Sequence, residues 1–452
     1  MTKRTVNNVI DLRTGKPIEN PKQSKRDGAS EAIKRAKTKD GKRTAVAAEK
    51  DDHKWEFKAR FRKGAFGWKS EPAIKRIKEA LSEIKQVAKK DLPLAGEGAV
   101  ILIERLSPAI EHVDSSSGWI GSAVCKAIEE LTPIIAKAKV SPEKRADWLE
   151  RLYNAQNQDE IAYLESLGNH WGEICGEKET ASYWADKLVG DVRTSWSDDS
   201  HFFSFKGTTN CLSALLKAER YDELLELLKL ERHHMWHYQQ FGTQALAKMG
   251  KVAEAIEFAF ESTDLDIESY SRHLVCEQIL LEAGQIENAY ENFAINANRK
   301  NSNLATYRAI AKKYPTIKAE RILGDLIKAT PGEEGKWFAT AKDLGLLDLA
   351  VELIRKSYCD PRTLTRAVRD FKESNPAFAA EVGLQAIYWL LAGYGYEITA
   401  GEVWQTLALT LEAARGISQE QQYRQAIEKM IAPALKQKQW TATMIAERLA
   451  DK

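Results

Sequence analysis

Three histidines lie within five residues of one another, and imidazole nitrogens are common ligands of divalent metals. His233, His234 and His237 occur in the phrase RHHMWHYQQF. On a helix, His233 and His237 would share one face, so a metal-dependent hydrolase is one hypothesis. The zinc-protease motif HExxH requires a glutamate where this chain has His234. The hydrolase is therefore the least favoured of three functions, and we predict neither a metal nor a cofactor.

The aromatic residues of the same phrase favour a different function. In repeat proteins the first helix of each pair lines a concave groove, where Trp, Tyr and His side chains anchor partner proteins. We therefore predict that His233, Trp236, His237 and Tyr238 bind a partner protein. The chain would then be a scaffold without catalysis of its own. The alternative interpretation is that these rings pack between repeats.

A second cluster of chemically useful residues lies near residue 60. Its cations are Lys58, Arg60, Arg62, Lys63 and Lys69, and they are interleaved with the aromatic residues Trp55, Phe57, Phe61, Phe66 and Trp68. Cations and stacking rings together could bind nucleic acid without sequence preference, which makes a nucleic-acid-associated accessory protein the second hypothesis. Alternation at period two also fits a half-buried, extended segment that covers the domain, and we favour this interpretation.

The positive charge of the chain is concentrated in its first residues. Residues 1–63 contain 19 Lys and Arg against 9 Asp and Glu, whereas the rest contains 48 against 56. Residues 1–53 also lack Phe, Tyr and Trp, so they cannot bury enough apolar surface to offset their ordering entropy. We predict a disordered basic tail over residues 1–53, which could also contact nucleic acid.

Three further motifs look more like helix boundaries or turns than active sites. The phrase DSSSG at residues 114–118 has no GxSxG or SxxK frame, so its Asp and Ser side chains are predicted to cap the next helix. Asp360 followed by Pro361 is likewise typical of a helix start. The phrase TPGEEGKWF at residues 330–338 lacks the order of a phosphate-binding loop, and is predicted to be a turn that packs Trp337 into the following pair.

Apolar residues at a spacing of three to four predict helices throughout the chain. In the first half they follow Pro72 and occupy about 94–113, 118–139 and 142–155. We predict a helical N-terminal domain over residues 54–190, a repeat region over 191–391 and a helical C-terminal cap over 392–452. The fold class is all-α.

The second half repeats a helix-turn-helix phrase six times. The turn residues are Arg220, Gly250, Gly284, Tyr314, Gly345 and Asn375, at spacings of 30, 34, 30, 31 and 30 residues. Glycine at such a turn adopts a positive φ at least cost. Five residues after each turn stand Leu225, Ala255, Ala289, Ala319, Ala350 and Ala380. Small residues at this position would let neighbouring helices approach closely.

These repeats resemble tetratricopeptide-type repeats, although the tryptophan and the terminal proline of that consensus are missing. The phrases HFFSFKGTTNCLSALL, RYDELLELL, CDPRTLTRAVRDF and GYGYEIT also resemble those of an uncharacterised bacterial family of about this length. That resemblance covers most of residues 55–400. It implies an α-solenoid of helix pairs and provides no catalytic residues.

Composition points to a soluble protein of a reducing compartment. The chain has 452 residues, of which 43% are hydrophobic and 29% charged. It contains no run of 18 apolar residues, and its first residues lack the apolar core of a signal peptide, so we expect a cytoplasmic protein without membrane contact. The five cysteines are scattered singly, which is typical of small buried hydrophobic residues rather than of disulfides or zinc ligands. The sequence does not determine an oligomeric state.

Overall fold

A computed structural model of the chain describes residues 53–197, 205–261 and 269–450. Within these ranges it contains 21 α-helices and no β-strand, which confirms the all-α fold class. The chain divides into two units, residues 1–55 and residues 56–452. Only residues 53–55 of the first unit are described, so the prediction of a disordered tail lies outside the described residues. The helices below all belong to the second unit.

Six α-helices form the first part of the second unit. They are α1 (Ser70–Ala88), α2 (Leu92–Ile110), α3 (Trp119–Lys137), α4 (Pro142–Gln158), α5 (Trp171–Cys175) and α6 (Lys178–Ser197). The first four lie where the apolar periodicity predicts helices. A 3₁₀ helix, Glu165–His170, precedes α5. Residue 190 lies inside α6, so the predicted regions on either side of it are joined by a helix rather than by a linker.

Twelve helices follow in six pairs. They are α7 (Thr208–Lys217), α8 (Tyr221–Leu228), α9 (Trp236–Lys248), α10 (Val252–Phe260), α11 (Ser269–Glu282), α12 (Ile286–Ala297), α13 (Asn303–Lys313), α14 (Ala319–Lys328), α15 (Phe338–Asp343), α16 (Leu347–Lys356), α17 (Pro361–Phe371) and α18 (Pro376–Leu391). The two helices of each pair contact each other. All six predicted turn residues lie between the helices of a pair.

The turns share one backbone geometry in several pairs. Gly250, Gly284 and Gly345 have φ values of 81°, 74° and 76°. At Gly284 the following amide, that of Gln285, donates to the carbonyl of Leu280 at 2.8 Å, a bond that closes the last turn of α11. The predicted role of these three glycines is therefore confirmed.

The predicted register of small residues is correct in four of six pairs. Ala255, Ala289, Ala350 and Ala380 are completely buried, whereas Leu225 and Ala319 are only half-buried. Ala319 differs because α14 begins at this residue, after a longer turn. The shared feature is instead the fourth residue of each second helix, which is buried in every pair: Leu224, Ala255, Ala289, Ile322, Ala350 and Ala379.

The two helices of each pair pack together, and several first helices also contact the first helix of the next pair. Such contacts join α7 to α9, α9 to α11 and α13 to α15. One apolar core extends from Trp236 in α9 to Ile445 near the C-terminal end. Three helices follow α18, namely α19 (Ala400–Gly416), α20 (Glu420–Lys436) and α21 (Trp440–Ala450).

The structure corrects one predicted helix cap. The cap position of α3 is Gly118, which has φ 70° and provides no side-chain hydrogen bond. Asp114 instead accepts bonds from the amide and the hydroxyl of Ser116 at 3.0 and 3.1 Å. The DSSSG phrase thus closes a local turn before the helix rather than capping it.

The other two boundary predictions are confirmed. Asp360 accepts a bond from the amide of Thr363 at 3.1 Å, with Pro361 as the first residue of α17. Trp337 is buried in a short 3₁₀ helix, Glu334–Trp337, and its indole donates to the hydroxyl of Thr330 at 2.7 Å.

Candidate partner-binding site

The histidine-rich phrase straddles the start of α9 rather than lying on it. The helix begins at Trp236, with Met235 as its cap residue, so His233 and His234 belong to the preceding turn. His234 has a φ of 45°, outside the helical region. The expectation that His233 and His237 share a helical face is therefore wrong.

The buried carboxylate of Glu231 keeps the residues before α9 out of the helical conformation. Glu231 accepts hydrogen bonds from the backbone amides of His233 and Met235, both at 2.8 Å. The amide of the Gln239 side chain also donates to Glu231, at 3.4 Å. Because the carboxylate satisfies the amide of His233 in the turn and that of Met235 at the cap of α9, the turn is held in a non-helical conformation and α9 begins only at Trp236.

The metal hypothesis depended on His233 and His237 sharing one face of a helix. Because they do not, it has no geometric basis. Among the residues that the structure describes, no group of three or more His, Cys, Asp or Glu side chains could hold a metal ion. The nearest thiol along the chain, Cys211, is buried, and burial raises its pKa to about 12. It is therefore not poised as a nucleophile either.

Trp236 belongs to the core rather than to the surface. Only 1% of the residue is exposed. Its indole nitrogen donates to the hydroxyl of Ser271 at 2.8 Å, and the guanidinium of Arg272 lies 5.4 Å from its ring centroid. Trp236 therefore joins α9 to α11, which is the packing role that we weighed as the alternative.

His237 and Tyr238 form a half-buried aromatic cluster with a residue from α6. The ring centroids of His237 and Tyr238 are 3.8 Å apart. Trp196 meets Tyr238 edge to face, with 5.3 Å between the centroids. Half-buried aromatic side chains offer a large apolar surface together with a polar edge, which suits them to protein recognition.

Beside Tyr238 lies a cleft of about 250 Å³ that the sequence does not reveal. We name it the Tyr238 cleft. Its lining comes from the end of α4, the segment that leads to the following 3₁₀ helix, the residues around the start of α7, and one residue of α9: Gln156, Asp159, Ala162, Glu165, Phe205, Lys206, Thr208, Thr209 and Tyr238. The cleft thus has two aromatic residues and several polar groups.

The buried carboxylate of the Tyr238 cleft, that of Asp159, is already satisfied by hydrogen bonds. Asp159 is buried and accepts bonds from the hydroxyl of Ser107 and the amide of Leu164, both at 2.6 Å. Gln156 and Asn210 exchange two side-chain amide bonds of 2.9 and 3.1 Å. A carboxylate held in this way is a structural anchor rather than a general base.

The cation of the cleft is held on backbone oxygens. Lys206 Nζ donates to the carbonyl of Asp159 at 2.7 Å and to that of Asn157 at 3.4 Å. Within the described ranges it forms no ion pair with a carboxylate. Its charge is therefore available to attract an anionic or carbonyl group of a ligand.

The basic segment near residue 60 is neither a strand nor fully extended. It contains a 3₁₀ helix, Phe57–Ala59, followed by turns. Phe57 and Phe61 are buried, while Trp68 is 72% exposed. The segment therefore covers the N-terminal helices, as we favoured, but in a different conformation.

All five predicted cations of this segment, Lys58, Arg60, Arg62, Lys63 and Lys69, are exposed. Two of them are paired with carboxylates. Arg60 lies 3.2 Å from Glu79, and Lys63 lies 3.8 Å from Glu111. Because the rings of Phe57 and Phe61 are buried, they cannot stack on bases.

Comparison with known proteins does not extend this description. No model of a known protein family matches the chain, and no curated protein matches it. Among the described helices, none is long and apolar enough to cross a membrane.

Proposed function

We propose that the chain is a tetratricopeptide-like α-solenoid that acts as a cytoplasmic scaffold for a partner protein. The recurring turn geometry of the helix pairs and the contacts between successive first helices support this architecture. Stacked pairs of this kind commonly present an extended surface to partners. No catalytic step is part of the proposal.

The observation that carries the proposal is the position of Tyr238 at the edge of its cleft. Its ring adjoins those of His237 and Trp196, and the ammonium of Lys206 lies in the lining of the same cleft. An apolar side chain of a peptide would contact the rings, while a carbonyl or carboxylate would accept from Lys206. We infer that a peptide segment of the partner occupies the Tyr238 cleft.

The predicted contact residues divide into two roles in this proposal. His233, His237 and Tyr238 are the groups that would touch the partner. Trp236 is a positioning residue because its buried indole fixes the start of α9. Replacing Trp236 would therefore disturb the fold and could not test binding.

A double variant tests the site. The full chain, carrying a purification tag, is used to capture proteins from its host, and is compared with Tyr238→Ala combined with Lys206→Ala. We expect co-purifying proteins to be lost from the variant and retained by the control Tyr396→Ala, whose side chain is 79% exposed elsewhere. Retention of every partner by a variant with the parental melting temperature would remove the assignment. A photo-crosslinker placed at residue 238 should link the same partner.

Nucleic-acid association through the basic segment is the second candidate. The observation in its favour is that Lys58, Arg62 and Lys69 are all exposed on one short stretch of chain. Replacing these three by alanine should weaken retention on a nucleic-acid column at low salt. Unchanged retention would rule out this segment as the contact.

A further inference from the structure

A second groove, independent of the proposed scaffold function, lies between α1 and α3. Its volume is about 510 Å³. The residues that matter in its lining are Ile77, Lys78, Leu81, Lys85, Lys89 and Lys126. We name it the basic groove.

Helix geometry places its lysines in a row. Lys78 and Lys85 lie on α1, and Lys89 is its C-terminal cap residue with helical backbone angles. The three are separated by seven and four residues, so they project within about 40° of one another. At a rise of about 1.5 Å per residue, the row is about 16 Å long. Lys126 faces it from α3. The groove is therefore an elongated positive surface rather than a single charge.

Most of this charge is uncompensated. Lys85 forms an ion pair with Glu130 at 2.7 Å, and Glu130 is the one acidic residue in the lining. Lys78, Lys89 and Lys126 are exposed, and they form no ion pair in the part of the chain that the structure describes. The residues around the groove thus carry three positive charges without a partner, although residues 64–452 have an excess of acidic residues.

The residues that line the basic groove indicate which class of ligand it binds. Ile77 and Leu81, the large aliphatic residues of the lining, are buried, so neither projects into the groove as an anchor for the apolar face of a helical peptide. Lysine ammonium groups bind phosphates as point charges, whereas planar carboxylate recognition favours arginine. None of the lining residues is aromatic, so bases would find no ring on which to stack.

We propose that the basic groove binds the phosphate backbone of a nucleic acid without sequence preference. A duplex lying along the row would place several phosphates near Lys78, Lys89 and Lys126, since each strand of a duplex has one phosphate per ~3.4 Å of helix axis. The groove differs from the basic segment in that its unpaired lysines line one elongated groove.

The test uses two matched triple variants of the full chain. The groove variant is Lys78→Ala, Lys89→Ala and Lys126→Ala. The control is Lys312→Ala, Lys429→Ala and Lys436→Ala, which removes three exposed lysines far along the chain and changes the net charge equally. Binding of labelled DNA and RNA, as single strands and as duplexes of about 20 base pairs, is followed by fluorescence anisotropy between about 50 and 200 mM salt.

We expect the groove variant to reduce the slope of log K against log salt by about 2 for a single strand and by about 3 for a duplex. The control should keep the parental slope. The proposal is overturned if both variants behave alike, if the groove variant keeps the parental slope, or if the parental protein binds none of the probes at about 50 mM salt. Binding of polyglutamate in place of nucleic acid would likewise overturn it, and would indicate an acidic protein partner.

Discussion

The hydroxyl of Tyr314 donates a hydrogen bond of 2.6 Å to the carboxylate of Glu277, and both residues are completely buried. Lys313 and Asn298 also donate to this carboxylate, each at 2.6 Å. Glu277 belongs to α11, Asn298 follows α12, and Lys313 and Tyr314 mark the end of α13. The Glu277 carboxylate therefore links the pair α11 and α12 to the next pair, α13 and α14, through hydrogen bonds.

Replacing Glu277 by alanine should lower the free energy of unfolding by about 3 kcal/mol, the low end for breaking a buried pair. The buried hydroxyl of Tyr314 loses its acceptor, while the partly exposed Lys313 can still reach water. Chemical denaturation measures the change. The control, Glu291→Ala, removes an exposed partner of Arg321 and should cost less than about 1 kcal/mol. Similar losses for both variants would contradict the anchoring role of Glu277.

Tyr314 also shows why part of the repeat register was mispredicted. It occupies the turn position where three other pairs have glycine, but its φ is −120°, so this turn makes no use of the left-handed conformation. The chain then needs a longer turn, and α14 begins at Ala319. Spacing predicted the pair itself correctly. Residue spacing alone could not predict that Tyr314 at the turn would bind the buried carboxylate of Glu277, nor that α14 would begin later, at Ala319.

At the candidate site, too, local sequence signals predicted the elements but not the contacts between distant residues. Apolar periodicity predicted the helices, and glycine predicted the positive-φ turns, because both signals are local. The start of α9 depends instead on Glu231, whose side chain accepts from the amides of His233 and Met235. The Tyr238 cleft combines residues from 156 to 238, and no local pattern shows that they meet. For the same reason the sequence did not distinguish buried Trp236 from its half-buried neighbours.

Three buried or nearly buried tyrosines donate to carboxylates, and they predict a loss of stability at alkaline pH. They are Tyr290 with Asp325, Tyr314 with Glu277 and Tyr423 with Glu381. Burial, followed by the adjacent carboxylate, raises the pKa of each phenol above its ordinary value. Since the folded state holds these protons more tightly, their contribution is complete below about pH 10 and is lost as the pH rises towards the folded pKa.

Denaturant unfolding measured between about pH 8 and 11 should therefore show stability falling above about pH 10. The control for this prediction is the triple variant Tyr290→Phe, Tyr314→Phe and Tyr423→Phe, which should be less stable near neutral pH but show a weaker dependence on alkaline pH. A parental slope in the triple variant would show that other groups are responsible.

Two alanines of α10 test the packing register. Ala255 is completely buried, whereas Ala253 on the same helix is exposed. Ala255→Leu should overpack the helix contact and cost about 1–3 kcal/mol. Ala253→Leu adds the same atoms to the surface and should change the free energy of unfolding by less than about 0.5 kcal/mol. Equal melting temperatures for the two variants would mean that Ala255 does not lie at a close helix contact.

The five thiols should differ sharply in reactivity. Cys125 is exposed, and the other four are buried. Burial raises the pKa of Cys175, Cys211, Cys276 and Cys359 to about 12. At pH 8 only about one in ten thousand of these thiols would be ionised, and the thiolate is the reactive form. Titration of the native protein with a chromogenic disulfide should therefore show one fast thiol, and titration in denaturant should show five. Cys125→Ser should abolish the fast phase and keep the melting temperature, whereas a second fast thiol in that variant would mean that one of the buried sites opens readily to solvent.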